Sequence, residues 1–376
     1  MKLIIIQPYL NLRGGAERVM LKIAQHYDAK IYTLEYSPNT TFPEFKDTNI
    51  QIVGKKVPLS EMLPYRASQG LRYGYNFYNM QIKEDYDVLN AHISPSEWIR
   101  HKNLRVLWYC HTPPREVYDL YESRMRNRSY RQKIIYSTMA KTYKFISNRV
   151  VKSIEEIATN STNTQERIKK YYGKNSIVIN PGIDFKDYWN EGDGKYFLCP
   201  SRLTPNKRQD YIIEAYKKFC AKSKRRYGLV LAGALSSDPE HQEYYKKLVQ
   251  LARGLDVKIQ ANLPEKDMKE MYANATAVLL APQNEDFGIV YLEAMSSSKP
   301  VISVNEGEPR RLVHEGKTGF LVNSPQHMCD RMLELLADKP LIERMGKNAR
   351  NDVETKYSWD KFFKKFDTVI AQVKEK

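Results

Sequence analysis

Short apolar runs bounded by turn residues alternate along this chain with longer stretches whose apolar residues recur at three- and four-residue steps. The first pattern marks buried strands and the second marks helices packed on them. In the first half, Leu3 to Ile6, Lys30 to Glu35, Asp87 to Ala91, Leu104 to Cys110 and Ser176 to Asn180 read as strands, and Ala16 to His26 and the 123–152 region as helices. In the second half, Tyr196 to Pro200, Leu229 to Ala232, Val257 to Gln260, Ala277 to Ala281 and Pro300 to Val304 read as strands. Arg208 to Cys220, His241 to Arg253, Glu265 to Asn274 and Gly288 to Ser298 read as helices. Such alternation predicts parallel sheets covered on both faces, and two such halves predict two doubly wound α/β domains.

The turn-rich stretch from Asn180-Pro181-Gly182-Ile183-Asp184 to Gly192-Asp193-Gly194 is the expected boundary. This divides the chain into residues 1–187 and 188–356. The last helical run, Trp359 to Lys374, carries Trp359, Phe362, Phe363 and Phe366 on one stripe that must pack on something.

Length agrees with two domains, since 376 residues exceed one ordinary core. No apolar run approaches the roughly 18 to 20 residues that span a bilayer. The opening run to Ile6 is too short for a signal-peptide core and reads as a buried strand. Cys110, Cys199, Cys220 and Cys329 form no CxxC pair and are expected reduced and buried, which predicts a cytoplasmic setting.

Charge adds a partner class. The formal net charge is +16, which favours anions: nucleic acid, an anionic membrane, or phosphorylated small molecules. It is concentrated in one stretch. Arg124, Arg126, Arg128, Arg131, Lys133, Lys141, Lys144, Arg149 and Lys152 fall between Ser123 and Lys152 with no Asp or Glu among them, interleaved with Tyr130, Ile134, Ile135, Tyr136, Met139, Tyr143, Phe145 and Ile146. The pattern suits either a basic helix on an anionic membrane face or a solvated helix with an ordinary core stripe.

Ligands of parallel sheets bind beyond the carboxyl ends of the strands, and four segments fall there. Arg13-Gly14-Gly15-Ala16-Glu17-Arg18 follows the first strand and makes a tight turn or a phosphate loop; it is not the GxGxxG fingerprint of nicotinamide cofactors. Ser201-Arg202-Leu203-Thr204-Pro205-Asn206-Lys207-Arg208 sets two cations on a strand–helix loop, suited to a diphosphate or to solvent. In Glu285 to Met295, the N–H groups of Phe287, Gly288 and Ile289 lie at a positive helix end. Glu285 is placed either to meet sugar hydroxyls there or simply to complement the helix dipole, and Glu293 either to meet a ribose or to lie on the surface. Cys110-His111-Thr112-Pro113-Pro114-Arg115 puts His111 at a strand end.

Taken in order, these residues are familiar. Glu285 to Met295, Pro300-Val301-Ile302 and Gly316 to Val322 resemble the retaining glycosyltransferases of family 4, which have the GT-B fold. Gly14-Gly15-Ala16-Glu17, Asn180 to Asp184 and Ser201-Arg202-Leu203 through Lys207-Arg208 resemble the same family in the same order. The resemblance implies two Rossmann-like domains facing a cleft, acceptor-binding and then donor-binding, with the final helix, 357–376, crossing back to the first. It implies that Arg202 and Lys207 hold the donor diphosphate and Glu285 the transferred sugar. Glu293 would bind the ribose, His111 would sit beside the sugar, and Gly14 and Gly15 would lie near phosphates or acceptor. Two segments depart from the family pattern: Ser298-Lys299-Pro300, where a glycine often precedes the proline, and Asn305 to Arg311, where a glycine pair is usual. The Cys-His-Thr-Pro-Pro-Arg string is similar to mannosyltransferases that build surface polysaccharides in bacteria and archaea, which favours GDP-mannose as donor.

No metal-ligand cluster is apparent, so the expected chemistry is metal-independent. The leaving diphosphate would be stabilised by Arg202, Lys207 and the helix end, with retention of anomeric configuration. The expected acceptor is a glycan or a lipid-linked glycan. Rival readings are a transferase of UDP-glucose or UDP-N-acetylglucosamine, a nucleotide-sugar epimerase on the same fold, and a basic nucleic-acid-binding protein. The last lacks zinc-finger, RNP-like and helix-turn-helix signatures, so no nucleic acid is expected.

Overall fold

A computed structural model describes residues 1–58, 60, 65–126 and 128–376. The chain divides into two units, Met1–Asn180 with Phe362–Lys376, and Pro181–Lys361.

The first unit runs β1 (Leu3–Leu10), α1 (Gly15–Tyr27), β2 (Lys30–Tyr36), β3 (Ile50–Ile52), α2 (Tyr65–Asn79), β4 (Val88–Ala91), β5 (Val106–Cys110), α3 (Tyr121–Arg126), α4 (Tyr130–Ser153), β6 (Glu156–Thr159), α5 (Thr162–Tyr172) and β7 (Ile177–Val178). The second runs β8 (Tyr196–Pro200), α6 (Gln209–Lys222), β9 (Gly228–Gly233), α7 (Pro239–Leu251), β10 (Val257–Ala261), α8 (Glu265–Asn274), β11 (Ala277–Leu280), α9 (Ile289–Ser296), β12 (Val301–Val304), α10 (Pro309–Leu312), β13 (Gly319–Val322), α11 (Pro325–Ala337) and α12 (Lys339–Lys356). The last helix, α13 (Trp359–Lys374), starts in the second unit and ends in the first.

Both sheets are parallel throughout, in the orders β3-β2-β1-β4-β5-β6-β7 and β10-β9-β8-β11-β12-β13. In each, the chain winds outward from its first strand and then starts again on the other side. The reversal falls between β1 and β4, and between β8 and β11, where such sheets open a crevice for ligands. Helices on both faces explain why β4, β5, β11 and β12 are buried at every residue. β1 is longer than its apolar run. Pro8 lies past the stretch that pairs with β4, which ends at Ile6, so its missing N–H breaks no ladder there.

The basic 123–152 stretch is not one helix. α3 ends at Arg126, and α4 starts afresh behind Ser129, whose side chain accepts from Gln132 N while Gln132 reaches back to the Ser129 N–H. The apolar stripe of α13 packs on the first unit. Phe363 stacks on His26 at 3.7 Å, Phe362 and Phe366 flank Tyr109, and Asp367 accepts from the Tyr27 hydroxyl at 2.7 Å. The cysteines are all free thiols, but Cys220 is exposed on the outer side of α6, against the expected burial of all four.

One buried carboxyl gives the first unit a pH response. Glu97 has no solvent exposure; one of its oxygens accepts from Tyr143 on α4 at 3.0 Å and the other has no hydrogen-bond partner among the described residues. Burial raises its pKa to about 7. The folded state therefore holds a proton that the unfolded state sheds near pH 4.5, and stability falls as pH rises to 7. Glu97→Gln is expected to be about 1–3 kcal/mol more stable than the parent at pH 8, with the gain gone at pH 5. Thermal unfolding at the two pH values checks this.

Candidate active site

The second unit brings two of the residues expected at the donor, Lys207 and Glu285, into contact. β8 delivers the 201–208 loop and β11 the 281–288 loop, side by side at the reversal point. Lys207 Nζ lies 2.5 Å from Glu285 Oε2, and both side chains keep little exposure, 13% and 16%. An ammonium has three N–H groups, so two remain for a ligand after Glu285 takes one. The loops are further tied by Arg208, which donates to the Ala281 carbonyl at 2.6 Å, the Pro282 carbonyl at 3.1 Å and Glu306 at 2.8 Å. Gln283 N donates to Asn206 O at 2.8 Å.

Arg202 differs from Lys207. Its side chain is exposed and makes no hydrogen bond or ion pair with the other described residues, while its backbone carbonyl accepts from buried Gln209 at 2.8 Å. The loop is fixed and the guanidinium is spare. Ser201 is buried, its hydroxyl accepting from Gln209 at 3.1 Å.

The turn into α9 is built on Gly288, whose φ of +83° is left-handed; a Cβ there would sit 2.7 Å from the Tyr291 ring. Phe287 is buried before it and Ile289 opens the helix, so the first N–H groups of α9 face the same end as Glu285. Glu293 is half-buried and accepts from the Tyr272 hydroxyl of α8 at 2.7 Å. It is not a surface glutamate: α9 is apolar almost all round, and a lone carboxylate in such a helix needs a partner.

The departures from the family pattern have physical readings here. Ser298 adopts a left-handed φ of +52°, which a glycine would take at less cost. Lys299 is buried and donates to Asn190 Oδ1 at 2.6 Å and the Gly192 carbonyl at 2.7 Å; burial lowers its pKa to about 8. Gly307, with φ +67°, lies so close to Glu285 that a Cβ would be 2.5 Å from that residue's carbonyl oxygen, and Glu308 N donates to the same oxygen at 3.0 Å. The segment around Gly307 braces Glu285.

In the first unit, Gly14 caps α1 with extended backbone and Gly15 starts the helix. A Cβ on Gly14 would lie 2.5 Å from the buried Glu17 carboxylate. His111 follows β5, half-buried, its Nε2 3.0 Å from Nδ1 of His92 after β4. Reading the sequence did not single out Tyr272, Glu306, Asn90 or His92, and gave Arg208 no role. Only Tyr272 had a signal, the unpaired glutamate four residues into α9. The others follow from which strand ends the topology makes neighbours. Among the described residues, no group of three or more His, Cys, Asp or Glu is arranged to hold a metal ion, and no helix is long and apolar enough to cross a membrane.

Comparison with known proteins fits this geometry. The family model for glycosyl transferases group 1 matches residues 183–352, and that for glycosyltransferase family 4 matches residues 13–187. The alpha-1,3/1,6-mannosyltransferase ALG2 of Mus musculus is 27% identical over 393 residues, spanning 93% of this chain and 91% of its own length. Among solved structures, HepE of Anabaena in complex with UDP-glucose matches with a TM-score of 0.75 at 18% identity, over 99% of each chain. Sucrose-phosphate synthase of Thermosynechococcus elongatus matches with a TM-score of 0.77 at 16% identity, again over 99% of each.

Proposed function

We infer what this chain does from what it is, a glycosyltransferase of family 4 built on the GT-B fold. Our reading is a retaining, metal-independent transfer of mannose from GDP-mannose to a glycan or lipid-linked acceptor. The observation that carries it is the Lys207–Glu285 pair at the β8/β11 reversal, with Arg202 on the same loop making no side-chain hydrogen bond or ion pair among the described residues. Two cations beside a helix N-terminus suit a diphosphate that gains charge as it leaves, and the carboxylate beside them suits the hydroxyls of the departing sugar. Glu293, held by Tyr272, is set to accept from ribose hydroxyls. With no side chain assigned as nucleophile, the acceptor attacks on the face the diphosphate leaves. The mannose reading is supported by the mannosyltransferase relative that spans most of the chain. The complex of HepE with UDP-glucose keeps a UDP-glucose donor as the second reading.

Donor identity is tested by thermal shift against GDP, UDP and ADP and their sugars. A ligand at a hundred times its Kd adds about 2.7 kcal/mol. GDP and GDP-mannose are expected to shift the transition; a response to UDP and UDP-glucose alone would replace the donor assignment. NMR of the first-formed product is expected to show the donor's anomeric configuration, and an inverted product overturns retention.

A membrane-borne acceptor is the reading we favour for the first unit. The outer side of α4 exposes Tyr130, Ile134, Ile135 and Phe145, the last at 65%, beside exposed Arg131, Lys141, Arg149 and Lys152. Apolar and cationic side chains sharing a solvent face fit the headgroup region of an anionic bilayer. The protein is expected to sediment with vesicles containing phosphatidylglycerol and not with phosphatidylcholine alone, and Phe145→Glu to weaken that association at least threefold. Equal binding to both vesicle types overturns it.

A further inference from the structure

Three polar side chains form a line across the carboxyl ends of β4 and β5, buried except at its outer end. Asn90 Nδ2 donates to the Leu107 carbonyl at 3.2 Å, which turns its Oδ1 toward His92 Nε2, 2.8 Å away. A carboxamide oxygen only accepts, so the proton of His92 must sit on Nε2. His92 is buried and neutral, its pKa held far below the usual range first by burial and then by His111. A neutral imidazole has one N–H, so His92 Nδ1 is a bare lone pair. The atom facing it, at 3.0 Å, is His111 Nε2, which must donate. His111 is itself neutral, burial pushing its pKa down to about 3. Its Nδ1 is then also bare and meets no other described residue. The backbone carbonyl of His111 is occupied by Asn160 Nδ2 at 2.9 Å, and the Trp108 indole N–H holds the His92 carbonyl at 3.0 Å, so neither residue is free to shift.

We propose that Asn90 and His92 are positioning residues that lock His111 in its Nε2–H tautomer, so that Nδ1 is presented to accept a hydrogen bond from a hydroxyl of the donor sugar. This rests on the reading that His111 meets the transferred sugar. The order of protons gives the site a polarity. His111 selects a sugar with a hydroxyl donor at that place and has no proton there for the leaving group.

The test begins on the unaltered full chain. In long-range proton–nitrogen correlation spectra of protein labelled with ¹⁵N-histidine, His111 is expected to show a protonated Nε2 and a bare Nδ1 from pH 6 to 8. The reverse pattern, or an imidazolium, overturns the proposal. His92→Asn keeps an acceptor near the place of Nδ1 and is expected to retain kcat within a few-fold. His92→Leu removes it and is expected to lower kcat about tenfold to a hundredfold with little change in donor KM, by analogy with the loss of a partner that orients a metal-bound imidazole. Equal losses in both variants would mean packing alone and overturn it. His111→Ala at the wild-type rate would overturn the use of the lone pair while leaving the donor site, tested separately by ligand-induced thermal shift, intact.

Discussion

Lys207→Ala is expected to lower kcat about a hundredfold or more, the loss typical of removing one preorganised donor from developing charge. Arg202→Ala is expected to cost turnover by a similar factor. The two variants separate in the ligand-free protein. Arg202 has no side-chain partner among the described residues, so its loss leaves the thermal transition where it was. Lys207 is held by Glu285 in a pair that keeps little exposure. Removing it takes a cation from a partly desolvated carboxylate, and we expect about 1 kcal/mol of lost stability after allowing for the water that still reaches the pair. Steady-state rates with thermal unfolding of each variant check both halves. If Lys207→Ala turns over like the parent, the diphosphate does not sit on this loop.

Gly307→Ala is expected to damage the same site without touching a charge. The left-handed φ costs a non-glycine residue of order 1 kcal/mol by itself. The added methyl must also displace the Glu285 backbone, whose N and O would stand 2.6 and 2.5 Å from it. Stability is expected to fall by about 1–3 kcal/mol and kcat by at least tenfold. Gly316→Ala is the control: its φ is +72° but nothing lies within 4 Å of the would-be Cβ, so only the strain should appear, with kcat unchanged. Equal kinetics in the two variants would remove Gly307 from the support of Glu285.

Legibility in the sequence followed local physics. β8, α8 and α13 have the bounds their patterns predict, because each pairs a clean apolar period with a definite stop. β3 and β6 left no comparable trace. β3 is a three-residue edge strand, and β6 is a four-residue strand that begins with a charged Glu156. α2 and α5 were hidden by polar composition; α5 is recognisable chiefly from its Ser161 cap, which accepts from Thr164 N. The break at Ser129 was missed because cations and apolar residues continue across it unchanged. In the site, Arg202, Lys207, Glu285 and Glu293 stood out because they fall after strands and at or within a helix beyond the sheet, in motifs whose order resembles family 4. The braces behind them, Arg208 to Glu306 and Tyr272 to Glu293, join residues 98 and 21 positions apart. Only the strand order makes them neighbours, and no one-dimensional period encodes it.

The course of α13 bears on how the protein is made. Phe362, Phe366, Val369, Ile370 and Val373 are buried in a unit whose other residues end at Asn180. A ribosome therefore finishes the whole of the second unit before it delivers the strip that seals the first. Until then the surface around Tyr27 and Tyr109 stays bare, a sticky interval during which a nascent chain calls for a chaperone. For the same reason a fragment ending near residue 180 is a poor vehicle for isolating the first unit, whereas one fused directly to the final helix is a sound one.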